Sequence, residues 1–128
     1  MIIMNFYKNF DNLCFSDFDV LKIEIDAKKK KIKIHLEGVW LVKNKNNIEE
    51  LSQGYVQINN YHNFTSTFSN SISGIEGKAT IAQIKELKEI AYHENGNDFL
   101  EFGGFINDGS WLECTVQGGE VEVHFTEK

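Results

Sequence analysis

The side chains with any capacity for acid–base or metal chemistry in this chain are its glutamates and histidines, and their spacing favours neither. His35, His62, His93 and His124 are scattered, with no HxH, HExxH or His-Cys spacing. No helix turn or strand therefore presents two imidazoles together to a metal ion. Glu101, Glu113 and Glu122 are the carboxylates able to supply the acid–base pair that a hydrolase needs. Ser66, Ser69, Ser71 and Ser73 lack the GxSxG elbow that exposes a nucleophilic serine. Gly103-Gly104 and Gly118-Gly119 precede no phosphate-binding helix and read as turn or packing glycines. No catalytic residue, metal ligand or cofactor is assigned on these grounds.

The elements that must position the glutamates are strands. Trp111 to Gln117 and Glu120 to Phe125 both alternate apolar and polar residues around Gly118-Gly119, a pair suited to the positive φ angles of a tight hairpin turn. The expectation is a hairpin in which Gln117 faces Glu120, Val116 faces Val121, Cys114 faces Val123 and Leu112 faces Phe125. Before it, Phe99 to Ile106 joins through Asn107-Asp108-Gly109. A two-residue loop there would mix the faces. A three-residue loop with Gly109 left-handed puts Leu100 opposite Val116 and Phe102 opposite Cys114. Leu100, Phe102, Leu112, Cys114, Val116, Val121, Val123 and Phe125 then form a core face.

The opposite face carries the candidate site: Phe99, Glu101, Phe105, Trp111, Glu113, Glu122 and His124. The expected register stacks Phe105 beside Trp111, Gly103 beside Glu113 beside His124, and Glu101 beside Thr115 beside Glu122. His124 next to Glu113 is a surface Glu–His contact or, less simply, an acid–base pair. A half-solvated antiparallel face is normally polar. Its aromatics imply either a covering loop or N-terminal segment, or an acidic-aromatic docking surface with Gly103 as a point of close approach.

Upstream, Val20 to Ile25 and Lys31 to Leu36 form a second hairpin around Ala27 to Lys30, with Leu21 facing Leu36, Lys22 facing His35, Glu24 facing Lys33 and Asp26 facing Lys31. The run Lys28 to Lys31 reads as a solvated loop tip rather than a phosphate site. Gly38 within Leu36 to Val42 implies a bulge or bend. Ile48 to Leu51 reads as a helical turn, Tyr55 to Asn59 as a strand with Val56 and Ile58 inward, and 71–78 as loop. Phe64 and Phe68 leave 61–70 undecided. Thr80 with Gln83 forms a capping box opening a helix from Thr80 to about Glu89. The competing reading makes Ile90 to His93 a strand turning at Asn95-Gly96-Asn97. Phe6, Phe10, Leu13, Phe15 and Phe18 are too apolar for a free tail and are expected to dock on the sheet.

The chain has 128 residues, the size of a single domain (1–128) able to build its own core. A formal charge of −6 argues against nucleic acid and for steering a basic partner. Cys14 and Cys114, the two cysteines, read as buried thiols in a reducing compartment. No secretory leader or membrane-spanning run is visible, so the expected address is the cytoplasm. The Asn-, Lys- and Ile-rich composition suggests a bacterial source.

Phe18 to Asp26, and Phe102 to Ile106 followed by Gly109 to Glu113, resemble small uncharacterised bacterial α+β proteins of the polymorphic-toxin immunity type. That resemblance implies tight binding of one basic toxin by an acidic surface, and it assigns no residue roles. The expected fold is α+β: a mainly antiparallel sheet of two hairpin or meander units with one helix packed on it. The leading function is a non-enzymatic protein-binding module, as monomer or homodimer, acting on neither nucleic acid nor membrane. Two alternatives stay open: a small-ligand carrier whose cavity is lined by Trp40, Phe64, Phe68 and Tyr92, and a hydrolase using the glutamates with His124.

Overall fold

A computed structural model describes residues 2–4, 11–44 and 46–127. In chain order the strands begin with β1 (Ile2–Met4), β2 (Leu13–Cys14), β3 (Val20–Asp26), β4 (Lys31–Leu36), β5 (Val39–Asn44), β6 (Asn47–Asn59), β7 (Asn63–Ser69) and β8 (Glu76–Lys78). One turn of helix, α1 (Ile81–Ile84), is followed by β9 (Tyr92–Asn95), β10 (Phe99–Phe105), β11 (Trp111–Gln117) and β12 (Glu120–Glu127). The fold is thus largely antiparallel β, with a much smaller helical part than expected.

Two sheets share one core. The first is ordered β1-β12-β6-β4-β3, with β5 and β2 continuing it along β6, and the second is ordered β8-β7-β11-β10-β9. Ile23, Ile32, Ile34, Val56, Ile58, Val121, Val123 and Phe125 of the first sheet join Leu100, Phe102, Leu112, Cys114 and Val116 of the second in a single buried cluster. Alternation produces this, because every second residue of each strand points to the same side. The eight residues expected to form the core face are all buried.

Those eight nevertheless divide between the sheets, which overturns the expected last hairpin. β11 lies between β10 and β7, while β12 lies between β6 and β1, so neither has an edge left for the other. Gly118 and Gly119, at φ 76° and 84°, carry the chain from one sheet to the other instead of reversing it within one. A Cβ at Gly119 would meet the carbonyl oxygen of Asn59. The Gly118 amide donates to the Asp98 carbonyl at 2.7 Å and the His62 amide to that of Gln117 at 2.8 Å, which pins the crossing.

The other turns are local and came out as their residues dictate. The three-residue loop places Leu100 opposite Val116 and Phe102 opposite Cys114, with Gly109 at φ 85°. The Lys28–Lys30 tip is exposed and sets Lys22 opposite His35, Glu24 opposite Lys33 and Asp26 opposite Lys31. A bulge at Leu21 makes Val20, not Leu21, the partner of Leu36 and leaves Leu21 50 % exposed. The bend at Gly38 lets β4 and β5 pair with successive stretches of β6. A Cβ there would come within 2.7 Å of the Leu51 carbonyl oxygen.

Three further readings are corrected. Ile48 to Leu51 lies within the 13-residue β6 rather than in a helical turn, because β5 pairs along it from Val39 to Asn44. Asn63–Ser69 is strand, and Glu76–Lys78 pairs with its end rather than remaining loop. The capping box is present, with Thr80 Oγ1 accepting from the Gln83 amide at 3.1 Å and Gln83 Oε1 from the Thr80 amide at 2.9 Å. After Ile84 the Glu86 and Leu87 amides tighten to bonds with the Gln83 and Ile84 carbonyls, and the chain then turns to β10, the Lys88 amide bonding the Phe105 carbonyl at 3.1 Å and the Ala91 amide that of Gly103 at 2.8 Å. The strand reading holds in part: β9 covers Tyr92–Asn95, shifted two residues from the expected Ile90 to His93, and pairs with β10. Leu13, Phe15 and Phe18 dock as expected, partly as the short strand β2; Phe6 and Phe10 lie outside the described residues.

Candidate functional site

The outer face of the second sheet is laid out by register. Across β9, β10 and β11, Tyr92 stands opposite Gly103 and Gly103 opposite Glu113. One step along, Phe105 stands opposite Trp111; one step the other way, Glu94 stands opposite Glu101 and Glu101 opposite Thr115. Gly103 has no side chain, and the rings on either side fill its place: a Cβ there would lie 2.7 Å from Tyr92 and 3.0 Å from Trp111. Gly103 is therefore buried under the site's own aromatics rather than open to a partner.

Tyr92 and Trp111 stack nearly parallel, with centroids 5.9 Å apart and planes 8° apart, and Phe105 meets Trp111 edge-on at 5.0 Å. Offset and edge-on arrangements of this kind suit the quadrupoles of the rings. Phe105 remains 50 % exposed, so the described chain does not cover this end of the row. Phe99 lies apart from it, its ring packed at Gly96.

The carboxylates converge on the tyrosine. The Tyr92 hydroxyl lies 2.8 Å from Glu101 Oε1 and 3.0 Å from Glu113 Oε1. A phenol carries one proton and each carboxylate only accepts, so one proton faces two acceptors. Burial first, then the bonds to Glu101 and Glu113, push the Tyr92 hydroxyl well above the ordinary tyrosine range. Tyr92 therefore stays protonated and donating. Glu76, Glu94 and Lys78 share the same face, so it is net negative with one lysine in the row of Glu113.

One rim is held by Asn70. Its amide donates to Ser110 Oγ at 3.0 Å, and its Oδ1 accepts from the Ile72 and Ser73 amides at 3.1 and 3.0 Å. This fixes the β7–β8 loop beside the aromatic row and leaves Ile72 and Ile75 98 % and 60 % exposed. Ile75, Glu76, Phe105 and Trp111 line an open groove of about 490 Å³.

Of the residues expected at the site, Phe99, Glu101, Phe105, Trp111 and Glu113 lie on this sheet. Glu122 and His124 do not: β12 belongs to the first sheet, where His124 stacks on Tyr55 at 4.7 Å and lies 3.5 Å from Glu122. The expected contacts of Glu113 with His124 and of Thr115 with Glu122 fail with the hairpin that implied them. The glutamates and His124 therefore do not meet in one cleft. The four aromatics of the imagined cavity are also dispersed. Trp40 lines a groove with Cys14, Val42 and Ile48, Phe64 packs near Tyr61, Phe68 borders a groove beside Glu113, and Tyr92 joins the aromatic row. Tyr92 is the site residue that sequence reasoning missed; a strand alternating Tyr92 and Glu94 outward about His93, next to a side-chain-free Gly103, was its signal.

Among the described residues no three His, Cys, Asp or Glu side chains are grouped to hold a metal ion, and no helix is long and apolar enough to cross a membrane. Both cysteines are free. Cys14 is half-buried, whereas Cys114 is buried, its thiol 3.2 Å from Ser66 Oγ and pushed up to about 12 by burial. No protein-family model, curated protein or solved structure matches this chain.

Proposed function

We propose that this chain is a non-enzymatic binding protein that holds a basic protein partner on the outer face of its second sheet. The observation that carries the reading is the Tyr92–Trp111–Phe105 row set against two carboxylates that share a single hydroxyl proton. One proton cannot serve both acceptors, so the pair has lone pairs to spare for a donor from outside. An arginine supplies that donor in a fixed fork and can lie flat on an indole while doing so. Glu76 and Glu94 extend the negative field, and the net charge of −6 steers in the same sense. The toxin-neutralising reading, with a cytoplasmic bacterial home, is the specific form that this surface and the resemblance to immunity proteins favour.

The test is capture of a basic protein from host extract by immobilised wild type, with Trp111→Ala and His124→Ala alongside. An aromatic anchor at the centre of an interface contributes about 2 kcal/mol or more, so Trp111→Ala should weaken binding by about 30-fold. His124→Ala, on the other sheet, should leave it unchanged. A partner retained by Trp111→Ala, or lost only with His124→Ala, refutes this placement.

A further inference from the structure

The outer face of the first sheet carries a different chemistry. Lys22, His35, Tyr55 and His124 occupy one register across β3, β4, β6 and β12, forming a row that crosses four adjacent strands. Tyr55 is stacked by His124 at 4.7 Å, flanked by His35 at 6.0 Å and covered by the Lys33 ammonium 4.0 Å from its ring centroid. Beside the row lies an open pocket of about 430 Å³, within the usual range of small-molecule sites, roughly 300–1,000 Å³. The bulge in β3 turns Leu21 outward to form an apolar wall, and no carboxylate is among the residues that line the pocket. A positively chargeable pocket of this kind stands out in a chain of net charge −6.

The nearby acids stand on the same face, in the next register row beside the histidines. His35 Nε2 is 2.8 Å from Glu24 Oε2, and His124 Nε2 is 3.5 Å from Glu122 Oε2. Because a carboxylate only accepts, His35 Nε2 carries its proton toward Glu24, and its Nδ1 is the ring nitrogen left over. That nitrogen is a lone pair in a neutral imidazole and a donor in a protonated one. Lys22 Nζ, 3.4 Å from Glu24, adds a fixed positive charge at the end of the row. Glu24 is held below the usual carboxylate range by His35 first and Lys22 second, so it keeps orienting the His35 ring at mildly acid pH.

We propose that this pocket binds a small carboxylate with an apolar tail, the carboxylate meeting the imidazoles and Lys22, and the tail lying on Leu21. This site is independent of the partner face on the other sheet.

The experiment is an NMR titration of the intact wild-type chain with phenylacetate, benzyl alcohol, benzylamine and inorganic phosphate. Phenylacetate should shift the amide resonances of residues 35, 55 and 124 and bind about tenfold more tightly than benzyl alcohol. His35→Gln with His124→Gln, two outer-face changes, should weaken phenylacetate by about tenfold, the worth of one charge-assisted hydrogen bond. Equal binding of benzyl alcohol, preference for benzylamine, tighter binding of phosphate, or no shift at these residues overturns the proposal. The ligand comparison needs no variant, so it stands even if the double substitution unfolds the sheet.

Discussion

Tyr92→Phe tests the shared proton directly. The substitution removes one hydroxyl and leaves the ring to stack on Trp111 at 5.9 Å. A hydrogen bond to a charged group contributes about 1.5–3 kcal/mol where water is excluded. Only one such bond is lost, because the hydroxyl has a single proton for its two acceptors, Glu101 and Glu113. Glu113 is exposed and Glu101 and Tyr92 half-buried, so water replaces part of it and the expected cost falls to about 1 kcal/mol. For a domain of this size that is a fall in Tm of about 4 °C. The pH dependence is the sharper readout. The folded state raises the Tyr92 hydroxyl above its ordinary value of 10.0. A raised folded-state value contributes stability that is fully present below pH 10 and is lost as pH climbs toward the folded value. Urea unfolding of both proteins, followed by circular dichroism between pH 7 and 11, should therefore show wild type ahead at pH 7 and its advantage shrinking above pH 10. Tyr61, also raised, by burial first and then by Asp26, is present in both proteins and cancels in the difference. Equal stability at pH 7, or parallel curves to pH 11, refutes the shared-proton arrangement.

Two other outcomes follow from the geometry. Gly109 and Gly119 both have positive φ, but a Cβ at Gly109 meets nothing within 4 Å whereas one at Gly119 runs into the Asn59 carbonyl. In urea unfolding Gly109→Ala should cost about 1 kcal/mol from the left-handed backbone alone, and Gly119→Ala roughly 2–4 kcal/mol once overpacking is added. Similar costs would mean that the crossing is not tightly packed. In native protein at pH 8, a thiol reagent should modify the half-buried Cys14 and leave Cys114, pushed up to about 12, untouched until the chain unfolds; rapid modification of both would place Cys114 outside the core.

Local features were legible in the sequence and global ones were not. The lysine-tipped hairpin and the Asn107-Asp108-Gly109 loop follow from turn chemistry and alternation over a few residues, and both registers came out as read, apart from the Leu21 bulge. The Gly118-Gly119 hairpin passed the same alternation check and is absent. Two strands on opposite sheets, each with its apolar side toward a shared core, show the same alternation as two strands paired in one sheet, so parity cannot tell them apart. Five of the seven expected site residues stay on one sheet because Phe99 to Glu113 depends only on the Asn107-Asp108-Gly109 loop; Glu122 and His124 were carried with β12 to the other sheet. The helix was overread because capping and propensity act within one turn, while the backbone demand of β10 at Lys88 and Ala91 is tertiary.

The place of β12 also bears on how the chain acquires its fold. It is inserted between β1 and β6, so one long edge of β6 stays open until residues 120–127 have left the ribosome. By then Ile58, Val56 and their neighbours have already been synthesised with one flank unpaired. Pairing across so long a stretch of chain is slow relative to local closure, and an open apolar edge is where strands of separate molecules join. The most hazardous interval for this protein is therefore the one before residues 120–127 are available to pair, and a ribosome stalled just past Gly119 would leave that edge of β6 exposed.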